Sequence, residues 1–312
     1  MDRSAYREIV RRSMEAPVQE RSIAYLADHL GRFLRKRERV LICFPEYKKG
    51  GLSWLMEQAV LRCGALPVVW GPDFRWKTLL RMAFSTKASA IIGAPLIVLG
   101  LTKLKKAYAT PLYIRRVVTA GYPCVDWMID GIVKGLDCEV GGCFSLGLEG
   151  VVAGFACGHS WGVHLWDEAY GADIVDGNGS ILPAGEVGEV VLYPKDRPTL
   201  RCPMGENARL ETAPCACGCS APRLMDFAPG RATDPDLAAL GQYLQSWTSI
   251  LDCRLNKGEC GLEMEIVVFP GEKLPKLPTA AKLVIRPWDP EHDEPFWYVP
   301  RGKIPETGGE DD

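Results

Sequence analysis

The sequence predicts an α/β fold: a mostly parallel sheet with helices plus antiparallel β hairpins, followed by a small α+β C-terminal domain. Three observations carry this reading. From Ser22 to Lys134, short apolar runs alternate with amphipathic stretches of about a dozen residues, the pattern of βαβ units. After Glu149 the texture turns to alternating residues separated by Gly, Asn and Pro turns. Beyond a Pro-rich break, a shorter helix-and-strand pattern follows.

Taken in order, Ser22–Leu34 places Ile23, Leu26, Leu30, Phe33 and Leu34 at helical spacing and ends in basic residues. Arg39–Phe44 is a brief apolar run stopped by Pro45 and reads as a buried strand. A helix over Gly51–Cys63 and a strand over Gly64–Trp70 come next, then a helix over Trp76–Phe84 and a strand over Ser89–Ile92. Gly93-Ala94-Pro95 opens a helix running to Ala107. Ile114–Thr119 is a strand and Val125–Lys134 a helix. Gly162–Asp176 and Gly188–Tyr193 alternate like antiparallel strands. Pro222–Pro235 reads as a linker, ahead of a helix over Asp236–Leu251 and strands over Leu262–Phe269 and Ala281–Ile285. The implied division is 1–224 for the large domain and 225–312 for the small one. No internal repeat is present.

Composition narrows the function classes. Of 312 residues 47% are hydrophobic and 24% charged, enough for a sizeable core. A net charge of -2 gives no general attraction to nucleic acid or to an anionic membrane, so neither is expected as a partner. Met1–Val18 is charged and lacks the apolar core of a secretory signal. Ala90–Leu101 is too short to span a bilayer and is interrupted by Pro95. The expected location is cytoplasmic, where twelve cysteines read as metal ligands or buried thiols before disulfides.

Five segments, in order, carry a resemblance. Gly162–Asp176 (GVHLWDEAYGADIVD) is similar to a G-L-H-I-W-E-D-x-x-x-x-E-I-I-D strand pair, and Leu182–Val190 to an L-P-x-G-E-x-G-E-L hairpin. Arg201–Leu210 is similar to R-Y-R-T-G-D-L-x-x-L, and Pro214–Leu224 to P-C-x-C-G-x-x-x-P-R-I. Upstream, Gly64-Ala65 and Gly93-Ala94-Pro95 fit a G-A and a G-T-P turn. The chain thereby resembles the phenylacetate-CoA ligases among adenylate-forming, AMP-dependent acyl-CoA synthetases, over about Val40–Arg231. The resemblance implies an enzyme that joins a carboxylic acid to AMP and passes the acyl group to a thiol such as CoA.

It also implies site residues. Glu149, in the remnant of a Tyr-Gly-x-Ser/Thr-Glu motif, would be the magnesium-associated acid. Lys303 would meet the acyl phosphate and offset charge developing there. Gly121, Tyr122 and Pro123 would form the adenine edge, and Glu206 would stand for the Asp that binds the ribose hydroxyls. Gly230-Arg231, with Asp234, would be the hinge of the small domain. Trp127, Phe144, Phe155 and Trp161 are either pocket walls for an aryl acid or core residues.

Cys157, His164, Cys215 and Cys217 match a structural zinc set of the resembled family, and three thiolates with one imidazole suit tetrahedral Zn²⁺. His159 and Cys219 are rival ligands. The implied cofactors are therefore structural zinc, ATP or AMP, magnesium and CoA.

One departure stands out. Ahead of the Ser22 helix, where the family has a Ser/Thr/Gly-rich phosphate loop, Arg12–Val18 contains no glycine and carries Glu15. The family's N-terminal subdomain is also expected to be missing. Two readings follow: a ligase-like enzyme, alone or completed by a separate chain that supplies the N-terminal half, and a non-catalytic sensor or subunit that binds an acyl group or nucleotide.

Overall fold

The computed structural model describes residues 3–122, 124–146, 149–156, 162–229, 235–259, 261–280 and 282–296. Two helices lead the chain, α1 (Arg3–Ser13) and α2 (Ala16–Phe33). A βαβ series follows: β1 (Arg39–Cys43), α3 (Leu52–Arg62), β2 (Leu66–Val69), α4 (Trp76–Ser85), β3 (Ala90–Gly93), α5 (Pro95–Ala107), β4 (Arg116–Thr119), α6 (Asp126–Leu136) and β5 (Glu139–Leu146). These strands pair in parallel in the order β2-β1-β3-β4-β5. The β1→β2 connection runs one way along the sheet and the later connections the other. Right-handed crossovers therefore place α3 on one face and α4, α5 and α6 on the opposite one. The contacts agree: α2 packs on α3, and α5 packs on both α4 and α6. With both faces covered, β1 and β3 are buried almost throughout, which is why they read as unbroken apolar runs.

β5 changes partner along its length. Glu139–Gly142 pair in parallel with β4, whereas Cys143–Leu146 pair antiparallel with β6 (Val151–Ala156). From there the sheet continues antiparallel through β7 (Val163–Leu165), β11 (Arg223–Pro229), β10 (Cys202–Glu211), β9 (Val187–Pro194) and β8 (Tyr170–Val175). Residues 223–229 were expected to begin a linker. They form β11 instead, held between β7 and β10, so the large sheet runs past Leu224 to Pro229. Ile9 of α1 packs with Phe144, Val151, Leu165 and Leu192 in the core of this half.

The small unit comprises α7 (Pro235–Ser246), β12 (Ile250–Gly258), β13 (Gly261–Val268) and β14 (Lys282–Pro287). The expected helix to Leu251 stops at Ser246. Trp247 and Ile250 close turns there, and Ile250–Gly258 are drawn into a full antiparallel register with β13. One face of this sheet packs on α7 through Leu244, Ile250, Cys253, Leu255 and Ile266. Leu251, Val267, Phe269 and Trp288 join the main core. Trp76 donates its amide to the Asp293 carbonyl, which ties the segment after β14 to α4.

A buried polar bridge crosses this join. Lys103 of α5 donates from Nζ to Gln245 Oε1 (3.0 Å) and to the Ile250 carbonyl (2.8 Å). Gln245 Nε2 donates to Asp252 Oδ1 (3.1 Å), and Asp252 also accepts the amides of Cys253 and Phe296. Burial lowers Lys103 to about 8 and raises Asp252 to about 6. Between pH 8 and the ordinary lysine value the unfolded chain holds more protons at this site, so Lys103 adds stability as pH rises through that window. Lys103→Met should destabilise the protein at neutral pH, because it leaves Gln245 Oε1 and the Ile250 carbonyl buried without their donor and removes a cation that favours the ionised Asp252. The stability gap between wild type and variant should widen from pH 8 to 10, as read by urea denaturation at each pH.

Candidate functional site

In a sheet ordered β2-β1-β3-β4-β5, the chain reverses its direction of travel at the β1/β3 boundary. The crevice beyond the carboxyl ends of those strands is where such folds place ligands. Here β1 ends in Cys43, followed by Phe44-Pro45-Glu46, and β3 ends in Gly93. A Cβ on Gly93 would lie 2.7 Å from the Cys43 carbonyl oxygen, so only glycine lets the two strand ends close up. Pro95, with its fixed φ and no N–H, starts α5 where that donor is not needed.

Of the sequence-predicted residues, Gly121 and Tyr122 lie at this end. Gly121, at φ +98, donates its amide to Ser145 Oγ (3.0 Å), joining the turn after β4 to β5. The Tyr122 hydroxyl accepts the Leu96 amide (3.0 Å) and so caps the first turn of α5. Burial pushes the Tyr122 phenol well above its usual value, and it stays neutral as a cap. Pro123 lies outside the described residues.

Glu149 lies in the turn between β5 and β6. Its carbonyl accepts from Ser13 Oγ (3.3 Å), so α1 ends against this segment. Burial raises the Glu46 carboxyl, and the neighbouring charge of Glu149 raises it further, against a smaller opposing effect of Lys48. Glu46, just beyond β1, thus lies close enough to Glu149 for the two charges to act on each other. Glu46 was missed, although its place just beyond a buried strand at the switch point was readable. Glu206 sits at a bulge in β10, paired with Pro229 of β11. Lys303 and Arg231 fall outside the described residues.

The aromatic reading divides. Phe144 and Phe155 are core residues, buried in two different clusters. Trp127 is half-buried on the wall of a separate 850 Å³ cavity between α5, α6 and the small unit. Trp161 lies outside the described residues.

The ligand atoms of His164, Cys215 and Cys217 lie within 4.8 Å of one another. His164 is buried on β7, between Phe155 and Arg223 on the neighbouring strands. Its Nδ1 donates to the Ala221 carbonyl (3.2 Å), which leaves Nε2 as the free lone pair, 3.3 Å from Cys217 Sγ. The Cys215–Cys219 turn closes through Gly218 N to the Cys215 carbonyl (2.9 Å). Cys219 gives its amide to Cys217 Sγ (3.4 Å) and is not among the clustered atoms. An acceptor imidazole, two sulfurs on a tight turn and a backbone donor to sulfur make a donor set that fits a thiophilic metal. Cys157 and His159 fall outside the described residues. Among the described residues, no helix is long and apolar enough to cross a membrane.

No family model matches the chain, and no curated protein matches it in sequence. Solved structures share its fold. A 2-hydroxyisobutyryl-CoA ligase in the postadenylation state in complex with 2-HIB-AMP matches at a TM-score of 0.63 and 16% identity, over 80% of this chain and 58% of that one. A benzoate CoA ligase from Burkholderia xenovorans LB400 matches at 0.56 and 11%, over 91% and 64%. The amide bond synthetase McbA from Marinactinospora thermotolerans matches at 0.51 and 15%, over 88% and 64%. The chain has the adenylate-forming fold. It spans 58% of the length of the first of these structures, and none of the three is named as a phenylacetate-CoA ligase.

Within that fold, the segment before α2 bears on phosphate binding. The amides of Met14, Glu15, Val18 and Gln19 all donate to main-chain carbonyls, and Pro17 has none to give. Arg12 is engaged by Asp196. A phosphate cradle needs several unspent backbone donors, and this corner has spent most of its own. On one side the corner packs against the turns at Gly50 and Gly150. Gly150, at φ +78, would place a Cβ 2.2 Å from the Gly50 carbonyl oxygen. Gly150→Ala should therefore lower stability by about 1–3 kcal/mol from the backbone alone, and by more once the Gly50 contact is counted. A fall in Tm of several degrees in a thermal melt is the expected reading, and an unchanged Tm would refute this packing.

Proposed function

We propose that the chain is a phenylacetate-CoA ligase-like protein that binds an acyl-adenylate or AMP in the crevice at the carboxyl ends of β1, β3 and β4. It does not turn over ATP on its own. The observation that carries the second half is the helix–helix corner at residues 14–19, whose amides are consumed in main-chain hydrogen bonds. A triphosphate does not fit there, so no step of this proposal passes through one.

The adenylate half has candidate partners. The Gly121–Tyr122 turn, held by Ser145 and Leu96, with Pro123 beyond it, offers a fixed edge for an adenine. Glu206 would accept the ribose hydroxyls, as a carboxylate can take both. Glu46 and Glu149 offer oxygen ligands of the kind magnesium takes. Lys303 and Arg231 keep the roles the resemblance implies, at the acyl phosphate and at the hinge. The solved structures that share this fold include ones holding 2-HIB-AMP with CoA, which supports an acyl-adenylate as the ligand class.

Zinc is proposed at His164, Cys215 and Cys217, with Cys157 as the fourth ligand. Such a site would fasten the 212–222 loop to β7 and leave no position open for chemistry.

Calorimetry should find AMP bound at least as tightly as ATP, and Glu206→Ala should weaken AMP about tenfold, the usual worth of a charge-assisted hydrogen bond. Pyrophosphate release with a panel of aryl and short acyl acids should stay at background. ATP much tighter than AMP, or robust release by the chain alone, would overturn the reading. Release only after a second chain is added would favour a ligase completed by a partner.

Metal analysis of protein purified without chelator should give about one zinc per chain. Cys217→Ser should release it and lower Tm, whereas metal-free wild type would reject the site.

A further inference from the structure

A second cavity opens at the other end of the parallel sheet, where β1, β3, β4 and β5 begin. Its volume is 790 Å³. Five cationic side chains line it: Arg35, Lys36 and Arg37 from the turn after α2, and Arg115 and Arg116 from the approach to β4. Two basic segments far apart in sequence are brought to one concavity by the parallel register of β1, β3 and β4.

The acids that share the cavity do not cancel this charge. Glu38, almost fully buried, is saturated: it accepts the Arg35 amide (2.8 Å), Ser89 Oγ (2.8 Å) and the Arg116 guanidinium. Burial alone would raise its carboxyl, yet these donors hold it below its ordinary value. It is the anionic floor of the cavity and stays charged. Asp137 and Glu139 are exposed at the rim, and Asp137 reaches Arg115 only at 4.0 Å, a separation at which an exposed pair contributes little. Arg35, Lys36 and Arg37 have no acidic partner within ion-pair distance among the described residues.

The α2 macrodipole does not account for them, because Arg32 already occupies its last turn and the effect fades within that turn. Arg116 Nε is buried and has no hydrogen-bond acceptor, although the same guanidinium binds Glu38 through Nη2. A buried N–H left without an acceptor is uncommon and costly.

We propose that this cavity is a second binding site, for a small anion carrying two or more phosphate charges. Four of its five cations are arginines, whose planar forks match phosphate oxygens in pairs. Its concave form and the acids at its rim exclude a long polyanion, which would have to pass Asp137 and Glu139. The site lies across the sheet from the crevice at the carboxyl ends and does not depend on what binds there.

The test is calorimetry with inorganic pyrophosphate at fixed ionic strength, on the full chain saturated with AMP so that the crevice is not counted. One binding event is expected. Arg37→Gln and Arg115→Gln, both exposed and outside the Glu38 floor, should each weaken it about tenfold and leave the circular dichroism spectrum and the AMP affinity unchanged. No binding would overturn the proposal, as would pyrophosphate affinity equal in wild type and both variants. Tighter binding of hexaglutamate or duplex DNA than of pyrophosphate would also overturn it, in favour of a docking surface.

Discussion

Everything at the crevice depends on β5 serving two sheets at once. Its first half is the last parallel strand of the α/β half, and its second half is the first antiparallel strand of the β half. The two halves are thereby welded through one continuous backbone, and the turn at Gly121 is pinned to the second half by Ser145. The proposed ligand edge at Gly121–Tyr122 and the proposed acid at Glu149 then lie beside β4 and β5, neighbours in one ladder. Their spacing is set by the strand ladder together with the bonds of Ser145 Oγ, the Tyr122 hydroxyl and Ser13 Oγ to the main chain.

The same rigidity closes the phosphate side. α1 lays Ile9 into the second core and ends with Ser13 against Glu149. The corner after it presents carbonyl-bonded amides where a nest of free ones would be wanted. Opening that corner would require α1 to leave the core and the Gly50–Gly150 contact to part. The corner is therefore a packed element of this chain and not a loop waiting to close on a ligand.

How much of this was legible depended on whether the signal was local. Val40–Cys43 and Ala90–Gly93 announced themselves as strands because a strand buried on both faces has no polar positions to break the run. β10 did not. Its buried residues Cys202, Met204 and Ala208 are too sparse to read as a strand, because the irregular stretch between Pro203 and Asn207 leaves Gly205, Glu206 and Asn207 half-buried. β12 follows a helix without a breaker and buries Ile250, Leu251, Asp252 and Cys253 in succession, so its first residues read as more helix. In α1 the apolar signal is two short pairs, Ala5 with Ile9 and Tyr6 with Val10, set among basic residues. Among the proposed site residues, Glu149, Gly121 and the Cys215–Cys217 turn could be named from the sequence because their motifs are contiguous. Glu46, Ser13 and Ser145 were not, since each matters only through a contact with a distant segment.

The join between the two units poses a last physical question: whether it is built to stay shut. Its apolar part, with Leu251, Val267, Phe269 and Trp288 in the main core and Tyr108 edge-on to Trp288, holds by burial alone. Its polar part behaves differently. Lys103 comes from α5, whereas Gln245 and Asp252 come from the small unit, so parting the units also parts the charges. Buried, they carry a desolvation cost that their contact barely offsets. Parted, each would be hydrated, and that cost would be returned. An all-apolar join of the same size would gain nothing on opening. Placing the bridge across the boundary, and not within either unit, lowers the free energy of separation while favouring one docked register, the one in which Lys103 reaches both Gln245 Oε1 and the Ile250 carbonyl. A join of that kind is specific without being permanent.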